Sequence, residues 1–192
     1  MHTIHHTKAV ILKSVSSGEA NKRVWLFTEE FGLVVAIMQG VRKHGAKLQS
    51  QVIDYSIISA DLVKGKDVWR LVSATVLYNP VLGKSRSPLA RPYVRVLSAI
   101  ERFLAGEGEQ NHKLWNHIEA CAFSIEGNSC DAKSFDALAI WKTLAHLGYI
   151  SDTGENSSLI QTPFATALQS INISLTKKMI KEVNDAITET HL

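Results

Sequence analysis

Residues 24–43 read VWLFTEEFGLVVAIMQGVRK, and the fold is decided there. Val24 to Thr28 is one short apolar run; Leu33 to Met38 is another, rich in Val and Ile. Glu29-Glu30-Phe31-Gly32 separates them. Two β-branched or aromatic runs around a short Gly-containing connection predict a β-hairpin. Gly40 ends the second strand, and Arg42, Lys43 and Lys47 follow in a loop bearing three fixed positive charges. A twisted hairpin feeding a cationic loop is a surface suited to a polyanion.

Working outward, Ala9 to Leu12 forms a compact apolar run between lysines and predicts a first strand over residues 8–15. Ser16 to Asn21 is turn chemistry. On the other side, Val52 to Val63 predicts a fourth strand and Val68 to Tyr78 a fifth, with a turn at Gly65-Lys66-Asp67. Strict alternation in the fifth puts Arg70, Val72 and Ala74 on one face and Trp69, Leu71 and Ser73 on the other. Five short strands, with a long connection between the third and fourth, fit a small Greek-key barrel of the OB type. An SH3-like barrel has the same strand count and stays open as the alternative.

Asn79-Pro80 closes the β part, and the apolar period changes from two to 3.6. Ser87-Pro88 reads as a helix start. Tyr93, Val96, Leu97 and Ile100 follow the helical period until Gly106 and Gly108, and a second helix spans Asn111 to Ile125 before Gly127-Asn128. Phe135 to Leu147 is apolar nearly all round and predicts the central buried helix of a bundle, closed by Gly148. Residues 150–158 read as a polar loop and Phe164 to Ile173 as a short helix or turn; Ser174 reads as the cap of a final amphipathic helix. The expected fold class is therefore α+β and multi-domain. An N-terminal five-stranded OB-fold β-barrel, residues 1–80, precedes a C-terminal α-helical bundle, residues 81–192.

The 192 residues carry a net charge of +3, unevenly spread. Residues 1–80 hold ten Lys/Arg against six Asp/Glu, and residues 81–192 hold eleven against twelve. Within the second part, Lys84 to Arg102 contains five basic residues and one acidic residue, Glu101. Every apolar run is too short to span a bilayer. The start, Met1 to His6, lacks the basic region and apolar core of a signal peptide, so a cytoplasmic protein is expected. Cys121 and Cys130 give neither a disulfide framework nor a CxxC zinc half-site. GxSxG, HExxH, P-loop and GxGxxG motifs are absent, and so are DxD, DxE and ExD pairs. The expectation is a protein that is not an enzyme, with no cofactor and no metal.

The basic residues carry the functional reading. Lys22 and Arg23 begin the second strand; Arg42, Lys43 and Lys47 leave the third. In an OB barrel, nucleic acid lies across strands two and three and between the flanking loops. Trp25, Phe31 or Trp69 would stack on bases where exposed, although core packing is the expected role of Trp25 and Trp69. Lys84, Arg86, Arg91 and Arg95 form a second cluster, the last two one helical turn apart on one face. Two other readings remain: an OB-fold adaptor whose helical domain docks a protein partner, and an RNA-binding OB protein.

Taken together, residues 9–43, AVILKSVSSGEANKRVWLFTEEFGLVVAIMQGVRK, resemble the RecO family of bacterial DNA-repair proteins, the recombination mediators. The likeness rests on Gly18-Glu19, Asn21-Lys22, Leu26-Phe27-Thr28, Phe31-Gly32 and Gly40-Val41-Arg42-Lys43, and continues through Lys47-Leu48. Leu144 to Tyr149 and the ending from Glu182 match more loosely. The resemblance implies an N-terminal OB fold, a helical C-terminal domain, and binding of single- and double-stranded DNA. It also implies annealing of complementary strands. Implied partners are RecR, the single-stranded-DNA-binding protein and the RecA pathway. DNA binding carries over to Arg42 and Lys43 first, then to Lys47 and Arg23. Many members have a four-cysteine zinc site after the LGY-like helix. Here Ser151 to Ser158 contains no cysteine, so this shorter chain is expected to bind no zinc.

Overall fold

The first strand, β1 (Ile4–Ser17), is long enough to serve two neighbours. Its first half pairs antiparallel with β4 (Ile57–Lys64), from Ile4↔Val63 to Val10↔Ile57. The second half pairs with β2 (Asn21–Thr28), from Ala9↔Thr28 to Ser17↔Asn21. Between Ile11 and Lys13 the register slips by one residue, and a bulge of this kind bends a strand from one sheet direction to the next. In this computed structural model the described residues are 3–18, 21–39, 47–66, 68–82, 87–104, 108–126 and 130–190. The expected features at Glu19, Gly40, Val41, Asp67, Gly106, Gly127-Asn128, His191 and Leu192 lie outside them.

The hairpin read from residues 24–38 is present. β2 pairs with β3 (Gly32–Met38) from Lys22↔Met38 to Thr28↔Gly32. Thr28 Oγ1 donates to the Gly32 carbonyl at 2.9 Å and accepts from the Phe31 N–H at 2.9 Å, which locks the turn. β3 meets β5 (Trp69–Tyr78) in parallel at Ala36↔Trp69 and Ile37↔Arg70, and β5 returns antiparallel to β4. The pairings run in a ring, β1-β2-β3-β5-β4, thinnest at the two-residue parallel seam. This is the five-stranded Greek-key arrangement of an OB fold.

Three strands differ from the sequence reading, and the first, β1, runs over Ile4–Ser17 rather than residues 8–15. A short helix, α1 (Lys47–Gln51), precedes the fourth strand, which starts at Ile57 rather than Val52. A turn intervenes: Ser56 N–H donates to the Ile53 carbonyl, and Tyr55 has a left-handed φ of 68°. In β5 the expected alternation fails because the register slips opposite Asp61 and Leu62. Trp69 and Leu71 point inward before the slip, Ala74 and Val76 after it. Val72, at the slip, is 48% exposed.

Compactness divides the chain into two units. Unit 1 comprises residues 1–82 and 104–115. Its core fills the barrel with Ile11, Leu26, Val34, Ile58, Leu62 and Leu71. A second apolar layer lies on the outer side of β1 to β3, where Val10, Phe27 and Leu33 are also buried. Trp115 stacks on Phe27 with ring centroids 6.5 Å apart, and the Gly108 N–H donates to the Leu33 carbonyl at 3.2 Å.

Unit 2 holds residues 83–103 and 116–192. The helices of the second half are α2 (Ala90–Phe103), α3 (His112–Phe123), α4 (Ala132–His146), α5 (Glu155–Gln161), α6 (Phe164–Ser170) and α7 (Ile173–Glu189). As its composition requires, α4 is the buried one, and it packs against α2, α5, α6 and α7. Asp131 caps it by accepting from the Ser134 N–H, and Gly148, at φ 86°, lies just past its end. The cap of α7 is Asn172 rather than Ser174, and residues 155–158, read as loop, belong to helix α5. Among the described residues the fold is thus mixed α+β, a five-stranded OB-type sheet followed by six helices. Among the described residues no helix is long and apolar enough to cross a membrane.

Candidate nucleic-acid interface

Directly opposed residues in an antiparallel sheet share a face, so the register identifies what the barrel turns outward. One row is Val15↔Arg23↔Ile37, continued by Arg70 across the parallel seam. The next row is Lys13↔Trp25↔Val35. Arg23, Arg70 and Val15 are exposed. None of these paired positions carries an Asp or Glu. Further along β2 the outward face is closed, because Phe27 lies under Trp115.

Trp25 is the centre of the open part. Its ring is half-buried, with Lys13 Nζ 4.5 Å from the ring centroid and the Arg23 guanidinium carbon at 6.0 Å. Both cations lie in the range where an aromatic quadrupole attracts positive charge. The result is an aromatic plate with the Lys13 and Arg23 cations over its ring, on a strand rather than a loop. Asp61 lies on β4, where His6 Nδ1 holds it at 2.6 Å.

Among the aromatic candidates, Trp69 is buried as expected. It packs with Phe31 at 5.2 Å and His5 at 5.6 Å, and Phe31 is half-buried against the barrel core. Trp25 departs from the expectation of core packing: its strand position is odd relative to the buried Val24 and Leu26. The same alternation separates Lys22 from Arg23. Lys22 opposes Met38 and shares the inward side of β2, where it is half-buried. Lys13 and Arg70 are not among the site residues of the sequence reading. Lys13 sits across the bulge from Trp25, and only the register brings Arg70 beside Ile37.

Arg42, Lys43, Lys84 and Arg86 lie outside the described residues, as does the side chain of Lys47. Arg91 and Arg95 belong to unit 2, both exposed on α2. Arg95 is ion-paired through Nη1 to Asp136 Oδ2 on α4. Burial pushes the Asp136 carboxyl up, and the Arg95 guanidinium pulls it the other way. Unit 2 also holds a buried lysine. Lys142 donates from Nζ to the Ile160 and Thr162 carbonyls, and desolvation lowers its pKa from 10.5 to about 8. Among the described residues no group of three or more His, Cys, Asp or Glu is placed to hold a metal.

Comparison with known proteins agrees with the likeness in residues 9–43. Residues 1–79 match the family described as Recombination protein O N terminal. A DNA repair protein RecO of Gloeothece citriformis is 31% identical over 77 residues, 40% of this chain and 27% of that protein. The DNA repair protein RecO of Clostridium kluyveri is 24% identical over 148 residues, covering 76% of this chain and 56% of its own length. That of Chlorobium phaeobacteroides is 26% identical over 163 residues, 81% of this chain and 58% of its own. The chain spans about half the length of the curated relatives that it matches over most of itself.

Proposed function

We propose, from the premise that this chain is a RecO-family protein through its first 79 residues, that it binds DNA and anneals complementary strands in repair. The observation that carries the reading is the outward face of β1, β2, β3 and β5. There Lys13 and Arg23 lie at the ring of a half-buried Trp25, and Arg70 stands one row away beyond Ile37, with no carboxylate at the paired positions. Such a face holds sugar-phosphate chains by charge and is largely indifferent to sequence. Arg42, Lys43 and Lys47, then Lys84, Arg86, Arg91 and Arg95, extend the proposed contact set; Lys22, on the inward side of β2, is left out of it. Two strands on neutralising surfaces repel each other less, so complementary bases meet more often. No bond is made or broken by the protein. In this reading it acts with RecR and the single-stranded-DNA-binding protein to load RecA on gapped DNA.

The test is binding and annealing of fluorescent complementary oligonucleotides by the full chain. Arg23→Glu with Arg70→Glu is expected to weaken single-strand binding by at least about tenfold, since each phosphate contact contributes on the order of 1 kcal/mol. Annealing should slow in parallel. A double variant that binds and anneals like the wild type would remove this face from the reading.

A further inference from the structure

We infer that Trp25 is a stacking platform for one unpaired nucleobase, which makes the barrel face selective for single-stranded over duplex DNA. The inference rests on the DNA-binding reading above and adds a specificity to it. Three features of the site support it. The ring is on the outward side of β2, half-buried and fixed between β1 and β3. Val35, opposite it on β3, and Ile37 give the floor apolar, partly open neighbours. Arg23 and Arg70 bracket Ile37 one row away, so the plate has cations beside it for the flanking phosphates.

Lys13 Nζ lies over the ring at 4.5 Å, where an incoming base would go. A cation over an aromatic ring is worth about two- to fivefold when exposed and about thirtyfold when desolvated, and this ring is half-buried. A stacked base is worth about fivefold to a hundredfold. The lysine stem is flexible, and its ammonium finds a phosphate when the base displaces it. A duplex cannot use the plate, because its base faces are already stacked on one another. It meets only the charges.

The experiment uses intrinsic fluorescence, because the sequence has four tryptophans and the other three, Trp69, Trp115 and Trp141, are 6%, 0% and 1% exposed. Single-stranded oligothymidylate of about 20 nucleotides should quench the wild-type emission, and Trp25→Phe should abolish that quench while binding within about threefold of wild type. Trp25→Ala should weaken oligothymidylate binding by about tenfold and leave affinity for a duplex of the same length within about twofold. Equal losses on both DNAs, or unchanged single-strand affinity in Trp25→Ala, would overturn the platform while leaving DNA binding intact. A quench that survives Trp25→Phe would overturn it too. A wild-type chain that binds neither DNA would instead bring down the functional reading beneath it.

Discussion

His117 lies on α3 at 5% exposure, with Nε2–H donating to the Ala139 carbonyl at 3.0 Å. Thr143 Oγ1 donates to the same oxygen at 2.7 Å, and the rings of His146 and Phe164 stand 5.4 Å from the imidazole. Burial first, and then His146, lowers its pKa from 6.5 to about 3. The folded state thus prefers the neutral ring. Because the folded pKa is depressed, its stabilising contribution is fully present above pH 6.5 and is lost as pH falls toward 3. Urea unfolding should show this. Between pH 7 and pH 5 the wild type should lose about 2 kcal/mol more than His117→Gln, which keeps a donor for Ala139. Equal losses would mean that His117 accepts its proton in the folded protein. At this scale the sequence was partly readable. Cys121 on an apolar stripe is buried, as the helical period requires. Lys142, 2% exposed, lies in a helix read as apolar nearly all round, and nothing in that reading marked it out. Its partners, the Ile160 and Thr162 carbonyls, come from a stretch between the loop read at 150–158 and the short helix or turn read from Phe164. Trp25 was misplaced because periodicity gives two faces to a strand and does not say which one the barrel encloses.

The β2–β3 hairpin is an element whose turn does two jobs. Gly32 has φ 65°, a conformation that costs an L-residue about 1–2 kcal/mol. A Cβ there would also fall inside the van der Waals shells of the Gly108 and Glu109 carbonyl oxygens. The turn is thereby fitted to the segment that covers Phe27 and Leu33. Gly32→Ala should cost at least about 2 kcal/mol by urea unfolding. Gly18 makes the control: its φ is 68°, with nothing within 4 Å of an added Cβ. Gly18→Ala should cost only about 1 kcal/mol. Equal costs would show that the close approach of residues 108 and 109 carries no energy. The hairpin itself was legible because turn chemistry and β-branched runs are local signals. The limits of β4 and the faces of β5 were not. A turn at Tyr55 and a slip near Val72 depend on what each strand pairs with, and pairing with another strand leaves no periodic trace.

Across the whole molecule, charge links sequence to proposed function. The excess of Lys/Arg over Asp/Glu lies in residues 1–80, and the later residues are close to balanced. Within the barrel, register collects part of that excess on one face. Arg23 reaches it and Lys22 does not; Lys13 and Arg70 join it from strands that the sequence reading left out of the site. In unit 2 the Arg95 charge is met by Asp136, so Arg91 and Arg95 are not equivalent although one helical turn relates them. Neutralising phosphates releases counterions, and that release is what salt opposes. The most direct measurement is therefore the affinity of the full chain for single-stranded oligothymidylate as salt is raised. With roughly four to six phosphates neutralised, log affinity should fall against log salt with a slope of about −3 to −4. A slope near zero would contradict the account.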